Sequence, residues 1–139
     1  MPVEIHIDYP GRLLCIATHA PSGETLTTDA APDSGGRGET FSPTDLVAAA
    51  LGTCVTTVVS LIALDWGLDL AGTRVSVIKE MAPDGPARIA ALQVRVTLPP
   101  GASLPAEVRA AFEREAAMCP VRQSLHPDIR VGVEFVYPD

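Results

Sequence analysis

The chain has 139 residues, enough for one domain with a modest core, and it is 47% hydrophobic with only 19% charged residues, which excludes a disordered chain. Its net charge of −7, from 17 acids against 10 bases, leaves no basic cluster for phosphates and argues against a nucleic-acid partner or an anionic membrane. Three cysteines do not make a secreted disulfide scaffold, and Glu4 and Asp8 fall where a signal peptide would be apolar, so a cytoplasmic protein is expected.

Val3 to Tyr9 alternates apolar and polar residues, which is strand spacing. Pro10-Gly11 is a turn signal, and Leu13 to Thr18 reads as the returning strand. A third short strand covers Glu24 to Thr28, and Ala30 to Thr40, rich in Gly, Pro, Asp and Ser, reads as a surface loop. A helix then starts with Ser42 as N-cap and Pro43 at the first helical position. Asp45, three residues after the cap, makes an Asp variant of the capping box at the positive end of the dipole. The helix is expected to stop near Trp66-Gly67.

No charge interrupts the chain from Leu46 to Leu64. A stretch of that length fits either a membrane span or the centre of a soluble fold. The flanks are Asp45 and Asp65, no basic residue sets an orientation, and the neighbouring segments read as strands that need a core; these favour the soluble reading.

Thr73 to Met81 and Ala87 to Leu98 read as a hairpin across Pro83-Asp84-Gly85-Pro86. Pro105 to Met118 has helical spacing, with Val108, Ala111, Phe112 and Ala116 on one face. Pro120 starts a further helical turn, and Ile129 to Val136 is the last strand. The order β-β-β-α-β-β-α-β predicts a single α+β domain over 1–139, with an antiparallel sheet packed on a long central helix. That helix is apolar on every side, one small sheet covers only one side, and each buried aliphatic side chain is worth roughly 1.5–3 kcal/mol. A homodimer with this helix near the interface is therefore expected.

Two thiols carry the chemistry. Cys54 lies about three turns into the apolar helix, where the dipole contributes little, so it needs a neighbouring base or cation to become a thiolate. Cys119 precedes Pro120 at the cap of a helical turn whose amides would favour a thiolate. If the fold brings them together, they form a two-cysteine redox pair; by spacing alone, two ordinary buried cysteines fit as well. Cys15 and His19, four apart on a strand, stand about 13 Å from each other and do not make a metal site, so Cys15 reads as core. His126, before Pro127, reads as a capping or packing residue.

The run from Ser42 to Cys54, Ser-Pro-Thr-Asp-Leu-Val-Ala-Ala-Ala-Leu-Gly-Thr-Cys, resembles the signature of the OsmC/Ohr superfamily, the osmotically inducible protein C and organic hydroperoxide resistance proteins. Ala117-Met118-Cys119-Pro120-Val121, followed by Ser124-Leu125-His126-Pro127, resembles their second cysteine motif. The resemblance covers nearly the whole chain. It implies an intertwined homodimer with two long central helices wrapped by sheets. It also implies thiol-dependent reduction of organic hydroperoxides, with Cys54 as peroxidatic and Cys119 as resolving cysteine. A small dithiol, in some members a lipoyl group, recycles such enzymes, and no metal, flavin or haem is required.

One departure stands out. Peroxidases of this kind carry a Glu directly after the helix-starting proline, paired with an activating Arg from the N-terminal region. Here that position holds Thr44, and Asp45 is turned from it by about 100°. The candidate arginines are Arg12, after the Pro10-Gly11 turn, and Arg37 in the Gly-rich loop, with Arg12 the better placed by order. Two functions follow: a thiol peroxidase using Cys54, Cys119 and Arg12, or a non-catalytic dimer that holds a hydrophobic small molecule beside Cys54.

Overall fold

The computed structural model describes residues 1–138. By its contacts the chain divides into two compact units, Met1–Val47 and Ala48–Asp139.

The first unit holds a three-stranded antiparallel sheet, β1 (Ile5–Gly11), β2 (Leu14–His19) and β3 (Thr25–Asp29), in that order. The β1–β2 connection pairs Gly11 with Leu14 and leaves only Arg12 and Leu13 between them. Both take positive φ, 58° and 65°, which is the two-residue hairpin geometry that suits the right-handed strand twist. Neither is a glycine or asparagine, so each residue carries a backbone cost of about 1–2 kcal/mol. Tyr9 helps hold the turn, its hydroxyl accepting the Leu13 amide at 3.3 Å. The Gly-rich segment is more organised than a surface loop requires. It contains a 3₁₀ turn over Pro32–Ser34, and the buried Asp29 carboxylate accepts the Arg37 amide at 3.0 Å.

The long helix α1 (Pro43–Asp65) begins in this unit with the expected reciprocal cap. Ser42 Oγ accepts the Asp45 amide at 3.2 Å, and Asp45 Oδ2 accepts the Ser42 amide at 2.9 Å. It ends in a left-handed cap: Gly67 has φ 72°, Gly67 N–H bonds Leu64 O, and Leu68 N–H reaches back to Ala63 O.

The second unit continues α1 and adds β4 (Arg74–Met81), β5 (Ile89–Thr97), α2 (Ala106–Ala116), α3 (Pro120–Ser124) and β6 (Arg130–Val136). Its sheet has the order β4-β5-β6, with β4 antiparallel to β5 and β6 parallel to β5. The α+β class stands as expected, but there are two small sheets, and one pairing is not antiparallel. The connection from β5 to β6 carries two helices, long enough to return the chain to the same end of the sheet, which a hairpin cannot do. Along the central strand β5, Leu92, Val94 and Val96 are buried while Gln93 and Arg95 face solvent, where Arg95 pairs with Glu134 of β6 at 3.2 Å.

The core of this unit is made by Leu51, Val55 and Val59 of α1, alternate residues of β5, and Val108, Phe112 and Ala116 of α2. α2 is docked on β6 by rings: Phe112 lies 6.2 Å from Phe135, Phe135 stacks on Tyr137 at 6.2 Å, and Arg109 caps the Tyr137 ring at 4.3 Å. α1 is long and apolar enough to cross a membrane, yet Ala48, Leu51, Gly52, Val55, Val59 and Ala63 form a buried face along it. The opposite face is open: Leu61 and Leu64 are about 60% exposed (59% and 62%).

Candidate functional site

The site is built on the part of α1 after Val47, on α3 and on the segment before α3, all within the second unit. Cys54 sits in mid-helix, half-buried, two residues after the close packing position Gly52. Val58, Leu61 and Ile62 follow it at helical spacing along one stripe, and with Ala111, Arg114 and Glu115 of α2 they line a groove of about 400 Å³. On the other side of α1, Gly52, Thr53, Thr56, Ser60 and Leu64 line an open groove of about 600 Å³ together with Val75 and Val77 of β4. Its wall is less polar than its residues suggest. Thr53, Thr56 and Thr57 donate their hydroxyls to the helix carbonyls of Ala49, Gly52 and Thr53, at 2.9, 2.7 and 2.8 Å.

Cys119 is the N-cap of α3, in extended conformation, with Pro120 at the first helical position. Its side chain is 1% exposed, and its Sγ accepts the Arg122 amide at 3.4 Å. The fold brings the two thiols near enough for Cys54 to act on the Cys119 thiol, and both are free. The cap amides alone would favour a Cys119 thiolate, as the sequence led one to expect. Burial overrides them and pushes the Cys119 thiol above its ordinary value, while the Arg122 and Val121 amides pull the other way and neighbouring Cys54 adds to the rise.

Arg12 belongs to the first unit, exposed at the centre of the β1–β2 turn, and Arg37 is exposed after the 3₁₀ turn. Thr44 lies in the first turn of α1, its hydroxyl 3.4 Å from Ser42 Oγ. His126 accepts the Asp128 amide at 3.0 Å and shapes the turn into β6, a capping role. Cys15 is half-buried on β2, opposite Thr28. Among the described residues no group of His, Cys, Asp and Glu could hold a metal ion. Sequence reasoning missed the Tyr9 prop under the Arg12 turn, because a tyrosine at the end of a strand carries no local sign of such a role.

The model of the OsmC family, described as OsmC-like protein, matches residues 36–134. Among solved structures, a Psychrobacter arcticus protein assigned to osmotic stress induction and detoxification response is 37% identical, with TM-score 0.87 over 94% of this chain and 93% of that one. An organic hydroperoxide resistance protein OsmC from Legionella pneumophila is 15% identical, with TM-score 0.72 over 98% and 97% of the two chains. The organic hydroperoxide resistance protein OhrB of Bacillus subtilis is 16% identical, with TM-score 0.68 over 97% and 98%. The last two share the fold. No curated protein matches the chain.

Proposed function

The chain belongs to the family of OsmC-like proteins, and on that premise we propose that it is a thiol-dependent peroxidase that reduces organic hydroperoxides in oxidative stress defence. The observation that carries this reading is the pair of free thiols, Cys54 and Cys119, from distant parts of the sequence and near enough that Cys54 acts on the Cys119 thiol. The Cys54 thiolate attacks the distal oxygen of the hydroperoxide. A sulfur–oxygen bond forms, the oxygen–oxygen bond breaks, and the alkoxide leaves as the alcohol after taking a proton. Cys119 then attacks the sulfenic sulfur. A disulfide forms, and the hydroxyl leaves with the Cys119 proton as water. A small dithiol or lipoyl-type reductant returns both thiols.

Arg12 is the cation assigned to Cys54 activation. Its support is the resemblance, in which an arginine of the N-terminal region activates the cysteine, and the exposed place of Arg12 in the β1–β2 turn. The working unit is a homodimer in the cytoplasm. The open face of α1, with Leu61 and Leu64, together with exposed Ile5, Ile7 and Tyr9 on β1, supports a subunit contact. No cofactor is needed for the thiol chemistry.

A second reading is favoured by Thr44, which stands where the peroxidases of this superfamily carry an acid, and by the apolar groove along α1. In it the protein is a non-catalytic dimer that binds a hydrophobic small molecule. Turnover of cumene hydroperoxide and of hydrogen peroxide, with dithiothreitol and with a dihydrolipoyl donor, separates the two. Preference for the organic peroxide with loss of turnover in Cys54→Ser supports the peroxidase. No turnover with either peroxide, together with Cys54 alkylation like that of a free thiol of pKa about 8.5, gives the binding reading.

A further inference from the structure

We propose that a cavity between α2, α3 and β6 binds a small zwitterion, a free α-amino acid with an apolar side chain, with Arg122 taking its carboxylate and Glu113 its ammonium group. The site is separate from both grooves along α1, and the inference does not rest on peroxide chemistry.

The cavity measures about 270 Å³ and has no α1 residue in its lining. Drug-sized ligands fill pockets of roughly 300–1,000 Å³, so this occupant is smaller. Strand alternation makes the apolar wall. Val131, Val133 and Phe135 share one face of β6, the face on which Phe135 meets Phe112 of α2. All three stay half-buried, because α2 meets them there with Ala116, too short to fill the space.

Two opposite charges line the same cavity, Glu113 of α2 and Arg122 of α3. Among the described residues neither side chain makes an ion pair or a hydrogen bond, with the other or with a third group. Arg122 is engaged only through its backbone, its amide donating to Cys119 Sγ at 3.4 Å. The cations next to Glu113 on α2 are committed elsewhere. Arg114 pairs with Glu115 at 3.3 Å, and Arg109 caps the Tyr137 ring while donating to the Leu104 carbonyl at 3.1 Å. Glu113 nonetheless acts on the strand: burial first, and then the Glu113 charge, push the Tyr137 hydroxyl above its ordinary value.

This pair of charges selects the ligand. A fatty acid would match Arg122 and set a second carboxylate near Glu113, and an alkyl amine would do the reverse. A zwitterion matches both, and its apolar side chain covers Val131, Val133 and Phe135. Arg122 suits the carboxylate, since a guanidinium can hold it through two parallel hydrogen bonds and so fix its orientation.

Calorimetric titration of the full chain with L-leucine tests the proposal, alongside two half-ligands. These are 4-methylpentanoate, which lacks the ammonium group, and 3-methylbutylamine, which lacks the carboxylate. L-Leucine should bind, and each half-ligand at least about tenfold more weakly, the usual scale for losing a hydrogen bond to a charged group. Glu113→Gln and Arg122→Gln should each weaken leucine by about tenfold, and both keep the backbone that caps Cys119. Arg95→Gln, on the solvent face of the sheet, should bind like wild type. Glu113 is exposed, so its variant tests the site even where Arg122→Gln fails to fold. No leucine binding at millimolar concentration overturns the proposal. So does leucine affinity unchanged in Glu113→Gln, or a half-ligand that binds as tightly as leucine.

Discussion

Gly52 of α1 lies so close to Val77 of β4 that a Cβ built on the glycine would fall 2.7 Å from Val77 Cγ2. The helix therefore packs directly on the strand two residues before Cys54. This contact fixes the depth at which the thiol is presented, and it gives a helical glycine a reason to be there despite its conformational cost.

Gly52→Ala should destabilise the protein although alanine is the better helix former. Overpacking costs about 1–3 kcal/mol, and the helix propensity gain returns only about 1 kcal/mol. Val77 is β-branched and turns away poorly. Val77→Ala should suppress the penalty in the double variant, so a urea-denaturation cycle should give a coupling of about 1 kcal/mol or more. Additive effects would mean that the helix simply slides off the strand.

The Cys119 thiol makes the fold sensitive to alkali. Its folded-state value lies above the ordinary 9.0, so its contribution is fully present below pH about 9 and is lost as pH rises through the raised value. Tyr137, half-buried with its hydroxyl out of solvent and also raised above 10.0, acts with the same sign at higher pH. Urea midpoints should therefore fall between pH 8 and pH 10.5. The fall should be smaller in Cys119→Ser, and that difference isolates the thiol from the tyrosine.

Local features were the legible ones. The Ser42–Asp45 cap and the Gly67 stop depend on residues within one turn, and both ends of α1 stand where those residues place them. The parallel pairing of β5 with β6 was not legible, because strand periodicity says which residues share a face and nothing about which neighbour a strand chooses. The cap position of Cys119 can be read from Cys119-Pro120, but burial decides the direction of its shift, and burial comes from the packed fold. The meeting of Cys54 and Cys119 was implied by a resemblance of motifs; spacing alone left it undecided. Arg12 and Leu13 are not residue types that announce positive φ, so the strain in their turn appears only in the backbone.

One equivalent of an organic hydroperoxide should link Cys54 to Cys119 within one subunit. Closing so long a loop should stabilise the oxidised protein by up to about 4 kcal/mol. Peptide mapping under non-reducing conditions identifies the bridge. Both thiols found free, or a bridge to Cys15, would go against the pairing. Cys119→Ser should consume about one equivalent of peroxide and then stall, its sulfenic acid open to over-oxidation.

The open apolar face of α1 should be covered by a second copy. Sedimentation equilibrium should give about 29 kDa, twice the 14.6 kDa chain, at micromolar concentration. Leu61→Asp places a charge on that face, at a side chain that is 59% exposed in the single chain. It should leave a single chain's own core intact yet cause dissociation or aggregation. A monomeric wild type would show that the face has another use.

The Arg12 turn should show stability and activity moving in opposite directions. At φ 58° a glycine meets no steric cost, so Arg12→Gly relieves about 1–2 kcal/mol of backbone strain. The greater freedom of the unfolded glycine takes back about half of that, leaving a net gain of about 0.5–1 kcal/mol. Arg12→Ala keeps the strain and gains nothing. If Arg12 is the cation that activates Cys54, both variants should lower hydroperoxide turnover and move Cys54 alkylation to higher pH, because the thiolate loses its counter-charge and the peroxide loses a donor. Arg37→Ala should change both less, since the Asp29 carboxylate holds only the backbone amide of that residue. A more stable Arg12→Gly with full turnover would make the strained turn a structural accident and pass the activating role to Arg37 or to no arginine at all.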